Sequence, residues 1–155
     1  MNSKFLYKLL SFAGSTPFYF VVLLVGWAFS GRIAFRLLIS FVGLMAVCYS
    51  IKLVYRKPRP DAEERPAGKS WFSWLDAASF PSVHSARAAA LAVCIGVALA
   101  PVPSILIGTG FIAFVGLSRI KLRRHFPTDV IGGAITGAAI AAAVIRIIAI
   151  FKPLK

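Results

Sequence analysis

Five runs of apolar residues take up most of this chain and limit its fold more than any other feature. They cover residues 17–31, 33–55, 83–100, 104–117 and 130–151. A segment in lipid must satisfy its backbone hydrogen bonds internally, so each run is expected to form a helix. About 20 apolar residues are needed to cross the hydrocarbon core, which makes the first and fourth runs short. The pattern predicts an all-α membrane protein with a bundle of about five transmembrane helices.

The composition agrees with a membrane location. Of the 155 residues, 59% are hydrophobic and 15% are charged, which is too apolar for a soluble domain of this length. We expect a single membrane domain over residues 1–155, with the transmembrane bundle in residues 17–151. Ahead of the bundle, four polar residues recur at helical spacing among apolar ones: Lys4, Lys8, Ser11 and Ser15. Residues 3–15 are therefore predicted to form an amphipathic helix in the membrane interface, with these residues on its polar side.

The formal net charge of +13 raises the question of an anionic partner. The basic residues sit at the ends of the apolar runs, where lipid headgroups or phosphorylated lipids would be their counterions. This placement argues against nucleic-acid binding. Cys48 and Cys94 lie inside apolar runs with no second thiol or histidine at metal-binding spacing, so we expect both to pack in the core.

Polar residues cluster at three junctions between the runs, at residues 52–65, 79–87 and 118–129. Because successive helices cross the membrane in opposite directions, the second run ends, the third begins, the fourth ends and the fifth begins on one side. The three clusters are therefore predicted to meet on one face of the membrane. Polar groups at membrane depth are costly, so their meeting suggests a functional site.

Two stripes of small residues indicate how closely the helices pack. Small residues at four-residue spacing let helix backbones approach, as generic membrane packing also requires. One stripe lies on the third run and one on the fifth: Ala88, Ala92, Gly96 and Ala100, then Gly133, Gly137 and Ala141.

The third cluster places a histidine beside the start of the fifth helix. Pro127 suits a first helical position, with His125 just outside the helix and Asp129 in its first turn. The helix dipole favours a carboxylate there, and Asp129 is expected to reach back to one ring nitrogen of His125. The other nitrogen would then keep its lone pair, as a nucleophile or base requires.

The second cluster predicts an anion site at the start of the third helix. Ser82 is a candidate N-cap, which would leave the amides of Val83 and His84 pointing outward, and such amides bind phosphate. Cations from the other clusters could complete the site, because guanidinium groups match phosphate oxygens. The candidates are Lys52, Arg59 and Arg119.

Each of these residues also has a plain structural interpretation. His125 alone could be an interfacial histidine with its hydrogen bonds satisfied, and Lys52 and Arg59 could simply extend to the headgroups. The chain has only two histidines, however, and both are predicted at helix starts on the same side as the arginines. Taken together, they favour a site.

Three segments resemble, in order and spacing, the signature of the type 2 phosphatidic acid phosphatase (PAP2) superfamily, which includes the vanadium haloperoxidases. They are Lys52-x6-Arg59-Pro60, Pro81-Ser82-Val83-His84 and Ser118-Arg119-x5-His125-x3-Asp129. The window from Lys52 to Asp129 covers about half the chain. One position departs from the family, which usually has PSGH where this chain has PSVH. Val83 would narrow the pocket or shift the amide that approaches phosphate.

The resemblance implies phosphoryl transfer in two steps, with no metal or other cofactor. His125 would attack phosphorus to form a phosphohistidine, oriented by Asp129, and His84 would protonate the leaving oxygen and then activate water. The phosphate oxygens would be bound by Lys52, Arg59, Ser82, Val83 and Arg119. The five acidic residues include no pair with convincing metal-ligand geometry, in agreement with this expectation.

Other cations near the predicted site have less specific roles. Those at headgroup level would attract an anionic lipid or anchor the chain: Lys121, Arg123 and Arg124. Arg87, one turn after His84, could contact a second phosphate or pair with Asp61 or Asp76.

The linker between the second and third runs holds three aromatic residues that we interpret as interface anchors, Trp71, Phe72 and Trp74. A site at helix ends beside such a rim would admit a lipid sideways. We therefore expect a phosphorylated lipid as substrate, with membrane lipids as the other partners, in a multi-pass protein of the cell membrane. Prenyl diphosphates such as undecaprenyl diphosphate, phosphatidylglycerophosphate, phosphatidate and a lipid A phosphate all stay open, as does the oligomeric state.

Sidedness and function class leave alternatives. Most of the 18 Lys and Arg residues lie on the side of the predicted site, and the positive-inside rule would put that side in the cytoplasm. Many family members face outward, however, and some of these cations are explained by chemistry. Two other functions are open: a vanadate-dependent haloperoxidase using the same pocket, and a noncatalytic lipid-binding or transport protein whose histidines only pack.

Overall fold

The computed structural model describes residues 3–63, 70–98 and 101–151, and the side chains of Phe72 and Pro101 fall outside this description. The described residues form helices and connecting turns without strands, so the predicted all-α class is confirmed. In chain order the described helices are α1 (Ser3–Phe12), α2 (Thr16–Phe29), α3 (Gly31–Val54), α4 (Trp71–Asp76), α5 (Val83–Gly96), α6 (Pro101–Lys121) and α7 (Pro127–Ile150).

Local sequence signals set where the helices begin. The Ser15 hydroxyl caps α2 by accepting a hydrogen bond from the Phe18 amide at 3.4 Å. Ser82 caps α5 in the same way, accepting from the Ser85 amide at 3.4 Å. Pro127 is the first residue of α7, as predicted, because the N–H that proline lacks has no helical acceptor at that position.

The described helices correspond to the predicted apolar runs but differ from them in length. By length and composition, the described helices that can cross a bilayer are α3, α6 and α7, and α1 with α2 pass the same test as one pair bent by 48°. α5 has 14 residues and ends at Gly96, whereas its predicted end at Ala100 lies outside the described residues. α6 is longer than the predicted residues 104–117 at both ends.

Helix α5 lies at the centre of the bundle. It packs against α3, α6 and α7, and most of its residues are buried. The site-bearing start of α5 is therefore held by helices on several sides.

Glycines of α7 bring its backbone against α5. A Cβ added at Gly133 would lie 2.2 Å from the carbonyl oxygen of Ser82, and one added at Gly137 would lie 2.0 Å from that of Ala86. No side chain fits at such distances, so the predicted stripe of small residues on α7 is a helix–helix contact.

The small residues of α5 face a different neighbour. A Cβ added at Gly108 of α6 would lie 3.2 Å from the Cβ of Ala92, and one added at Gly96 would lie 3.5 Å from the Cβ of Ser104. The stripe predicted on the third run thus packs against α6, as far as Gly96.

The N-terminal helix is amphipathic as predicted, but its polar side is used differently. Phe5 and Leu9 expose their side chains, while Ser11 is buried. α1 packs along α6 and ends at Phe12 rather than at residue 15. A serine of the predicted headgroup-facing side therefore points into the protein.

Replacing Gly137 with alanine is expected to push α7 away from α5, because the added Cβ would overlap the Ala86 carbonyl. The free energy of unfolding should fall by about 1–3 kcal/mol, the usual cost of overpacking, measured by thermal or denaturant unfolding in detergent. Gly110→Ala on α6 is the matched control, since nothing lies within 4 Å of its added Cβ. Equal stability of the two variants would contradict the close contact.

Candidate active site

A cavity of about 160 Å³ lies where α3 and α6 end and where α5 and α7 begin. Its lining combines residues from the three polar clusters, which therefore do meet. Of the predicted site residues, the lining includes Lys52, Arg59, Val83, His84, Arg119 and His125. The other lining residues are Thr16, Met45, Tyr49, Asp76 and Arg87.

His125 lies in the turn between α6 and α7, with a side chain that is 3% exposed. Its Nδ1 is 2.8 Å from the carbonyl oxygen of Ser79. A carbonyl can only accept, so Nδ1 carries the proton and Nε2 keeps its lone pair. Burial lowers the pKa of His125 to about 4, and the cationic charge of Arg119 adds to this effect. The ring is therefore neutral near pH 7, the form that a nucleophile needs.

Asp129 stands behind His125 and does not bond to it directly. Its Oδ2 is 3.8 Å from Nδ1 of His125, too long for a hydrogen bond. The carboxylate instead accepts from the Lys57 ammonium at 2.6 Å and from the Phe126 amide at 2.8 Å. The hydrogen bond expected from Asp129 to the ring is instead made by the Ser79 carbonyl, and the Asp129 carboxylate is a close neighbour of the ring.

Lys57 is a site residue that the sequence interpretation missed. Its ammonium bridges the Asp129 carboxylate and the Thr128 hydroxyl, the latter at 2.9 Å, and lies 4.6 Å from the ring centre of Phe126. The available signal was its position two residues before Arg59, inside the first polar cluster. Lys57 ties that cluster to the start of α7.

The Ser82 hydroxyl caps α5 as predicted but does not face the cavity, where it was expected to bind phosphate. Its hydroxyl accepts from the Ser85 amide and from the Ser85 hydroxyl at 3.0 Å, and the residue is fully buried. The predicted N-cap is confirmed, whereas the hydroxyl does not belong to the cavity lining. Val83 and His84 do line the cavity, and their first-turn amides have no acceptor within the helix.

Two of the predicted cations reach the cavity from the first cluster. Lys52 is fully buried, and its ammonium donates to the Ala78 carbonyl. Arg59 pairs with Asp76, whose Oδ2 is 3.2 Å from Nη2. The Nε of Arg59 is buried and has no hydrogen-bond partner among the described residues. A buried donor of this kind is costly, which favours an anion in the cavity.

Two more arginines of the cavity are bound by residues before Pro17. Arg119 Nη1 donates to the Ser11 hydroxyl at 2.6 Å, and Arg87 Nη1 donates to the Thr16 hydroxyl. Arg87 also donates through Nε to the Val83 carbonyl at 3.3 Å, in place of the ion pair with an aspartate considered above. Sequence interpretation missed both hydroxyls. Helix alternation could have found them, since the first run begins on the side of the site.

Around the cavity, other cations pair with acids or aromatic rings. Arg124 Nη1 lies 3.1 Å from Oδ2 of the buried Asp61, so this arginine forms an ion pair that the sequence interpretation did not include. In α4, the rings of Trp71 and Trp74 stack at 5.0 Å, and the Arg56 guanidinium lies 3.5 Å from the Trp74 ring centre. Both indoles are exposed, consistent with the predicted rim of interface anchors.

Within the described ranges, no group of three His, Cys, Asp or Glu side chains is placed to hold a metal ion. The positive charge at the cavity comes from lysine and arginine side chains, which outnumber the acid Asp76 in the lining and can bind an anion without a metal.

Comparison with known sequences points to one family. The sequence profile of the PAP2 superfamily matches residues 33–152. The decaprenylphosphoryl-5-phosphoribose phosphatases of two Mycobacterium tuberculosis strains, CDC 1551 and H37Rv, are each 35% identical over 100 residues, which is 64% of this chain and 52% of theirs. The chain thus spans about half the length of the curated relatives it matches.

Two crystal structures share the fold. Aquifex aeolicus LpxE superimposes with a TM-score of 0.79 at 21% identity, covering 92% of this chain and 85% of its own. The PAP2-type phosphatidylglycerolphosphate phosphatase of Bacillus subtilis gives 0.75 at 23% identity, covering 98% and 79%. At these identities the likeness establishes the helical architecture alone.

Replacing Lys57 with methionine should leave Asp129 buried with the Phe126 amide as its remaining close donor. Removing one partner of a buried pair typically costs about 3 kcal/mol or more. We expect the free energy of unfolding to fall by about that much above pH 5, where the carboxylate is charged, as measured by denaturant titration in detergent. Lys121→Met, at an exposed position, serves as control. Equal free energies of unfolding for the two variants would show that the Lys57–Asp129 ion pair does not stabilise the fold.

Proposed function

The chain belongs to the PAP2 superfamily, and on that premise we propose that it is an integral membrane phosphatase of phosphorylated lipids. It hydrolyses a lipid phosphate monoester or diphosphate through a phosphohistidine intermediate on His125. The supporting observation is that His84 and His125 line one cavity with cations from three separate parts of the chain. An anion is what such a lining attracts.

The first step is attack of the His125 Nε2 lone pair on phosphorus. The Ser79 carbonyl fixes the tautomer and ring plane by accepting from Nδ1. As the nitrogen–phosphorus bond forms, the bond to the leaving oxygen breaks, and His84 donates a proton to that oxygen. The ring of His125 gains positive charge, which the carboxylate of Asp129 offsets from 3.8 Å.

The second step reverses the roles of the two histidines. His84, now neutral, takes a proton from water, whose oxygen attacks phosphorus and displaces His125. Inorganic phosphate leaves, and both imidazoles return to their starting protonation. One histidine on each side of phosphorus is therefore sufficient for the proton transfers.

Cations in the cavity stabilise the phosphate charge during both steps. Lys52, Arg59 and Arg119 neutralise the equatorial oxygens, and the first-turn amides of α5 add donors. Such positioned charge is usually the main catalytic contribution in phosphoryl transfer. The reaction needs no metal on this proposal, which is supported by the lysine and arginine lining.

The substrate carries its phosphate on a membrane lipid, and the protein works in the cell membrane. This is supported by the apolar helices and by the exposed Trp71 and Trp74 of α4, whose last residue, Asp76, lines the cavity. The related proteins are named for decaprenylphosphoryl-5-phosphoribose and phosphatidylglycerolphosphate. Undecaprenyl diphosphate, phosphatidylglycerophosphate, phosphatidate and a phosphorylated prenyl sugar are accordingly the substrates to compare.

Purified protein should release phosphate from at least one of these lipids in detergent containing a chelator. His125→Ala should lower kcat by about 10³-fold or more, the scale of losing a nucleophile, measured as inorganic phosphate released. Ser30→Ala, at the far end of α2, is the control and should keep full activity. Undiminished phosphate release in His125→Ala, or halide oxidation with vanadate and peroxide as the sole activity, would overturn the proposal.

His84→Ala separates the two steps. An aryl phosphate with a weakly basic leaving group needs no proton from His84, so its attack by His125 should proceed. The second step still lacks its base, and labelled phosphate should therefore accumulate on His125, detected by peptide mapping under alkaline conditions. Absence of this phosphoenzyme, with normal turnover, would assign the base to another residue.

A further inference from the structure

The bend between α1 and α2, over residues 11–16, lies against the wall of the cavity. A Cβ added at Gly14 would be 2.7 Å from Cγ1 of Val115 and 2.9 Å from the His84 carbonyl oxygen. This segment, here called the N-terminal corner, therefore touches α6 and the first turn of α5 together. It precedes residues 33–152, which match the family profile.

We propose that Ser11 and Thr16 are positioning residues that orient Arg119 and Arg87 for the substrate phosphate, which makes the N-terminal corner a further wall of the phosphate site. The inference rests on the proposed function for its reaction. It adds residues outside the three-part signature and outside the matched family region.

Arg119 has one fixed contact and free donors on the other side. The residue is 8% exposed, and its Nη1 donates to the Ser11 hydroxyl at 2.6 Å. Its Nε is buried without a hydrogen-bond partner among the described residues. A guanidinium is rigid and planar, so holding Nη1 in place restricts where its other nitrogens can lie. Ser11 thereby limits the directions in which the remaining N–H groups face.

Arg87 is held at two points. It is 5% exposed, with Nε on the Val83 carbonyl and Nη1 on the Thr16 hydroxyl. These contacts fix its guanidinium in the cavity lining, beside the histidine one turn earlier in α5. A second buried cation thus depends on the N-terminal corner.

The chemistry of their partners distinguishes these two arginines from the cations that pair with acids. Lys57, Arg59 and Arg124 each pair with a carboxylate. Arg119 and Arg87 instead donate to neutral hydroxyl oxygens, and neither forms an ion pair within the described part of the chain. A hydroxyl orients a guanidinium without neutralising it, so the full charge stays available for an anion.

Gly14 allows this arrangement. With any side chain at this position, the corner would have to move away from His84 and Val115. Both hydroxyls would then be displaced from their arginines. A glycine at the bend thus has a specific packing reason and is not explained by a turn alone.

Two pairs of variants test the proposal by phosphate release from the best lipid substrate. Ser11→Ala and Thr16→Val should each lower kcat/KM about tenfold, while Thr16→Ser keeps the hydroxyl and should stay within about twofold of wild type. Ser30→Ala is the control, because its side chain makes no capping hydrogen bond. Equal activity of Thr16→Val and Thr16→Ser, or of Ser11→Ala and Ser30→Ala, would overturn it.

A double-mutant cycle separates positioning from simple stabilisation. If Ser11 acts through Arg119, then Ser11→Ala should have less than a twofold effect in the Arg119→Met background. If Ser11→Ala lowers kcat/KM by the same factor in the Arg119→Met background as in wild type, the proposal is contradicted. Gly14→Ala should reproduce the loss of activity, and its control is Gly31→Ala, where nothing lies within 4 Å of the added Cβ. This second pair decides the question if Ser11→Ala does not fold.

A binding measurement keeps this test independent of turnover. Inorganic phosphate should raise the thermal unfolding temperature of wild-type protein, and the shift should be at least halved in Ser11→Ala and Thr16→Val. If wild type releases no phosphate from any lipid but these shifts differ, the proposed function fails and the positioning role stands. Equal shifts in all variants would overturn the positioning role while leaving the phosphatase activity to be judged by His125→Ala.

Discussion

The site depends on the contact between the start of α5 and the glycines of α7. Gly133 faces the Ser82 carbonyl and Gly137 faces the Ala86 carbonyl, with no room for a side chain. The Ser82 amide also donates to the Asp129 carbonyl at 2.9 Å, which joins the first turns of the two helices directly. His84 and His125 belong to these two helix starts. The two histidines share a cavity because the backbones of α5 and α7 are in contact at these helix starts.

Once the helix starts are joined, buried cations must be supported where water is scarce. Charges deep in a protein are costly unless hydrogen bonds replace their hydration. The outer cations Lys57 and Arg124 form ion pairs with the carboxylates of Asp129 and Asp61. Lys52 relies on the Ala78 carbonyl and Arg119 on the Ser11 hydroxyl. Each of these two buried cations thus has a neutral partner, which leaves its charge unneutralised at the cavity, and the Nε of Arg119 keeps an unpaired donor among the described residues. Such fixed positive charge is a preorganised environment for an anion.

The sequence predicted correctly the features that depend on the order of the helices and on local residues at their ends. Alternation across the bilayer brought the three clusters together, and Pro127 and the Ser82 cap set the helix starts. It did not find the Ser79 carbonyl behind His125 or the Lys57–Asp129 pair, because both depend on how loops return to the site. Hydropathy also did not distinguish α5, which is mostly buried and too short to pass as a span among the described residues, from the longer apolar helices. The roles of the site residues stay predictions.

The departure at Val83 has a structural meaning that connects these features. Among the described residues other than glycine, a positive φ occurs only at Arg123, so the backbone at Val83 does not itself require glycine. The valine side chain is 4% exposed and packs in the hydrophobic core, while the residue also lines the cavity. It therefore strengthens the wall of the site but limits how closely an anion can approach its amide. In the proposed mechanism the site then relies more on guanidinium donors, and Arg87, one turn along α5, bonds the Val83 carbonyl and turns its own charge towards the cavity.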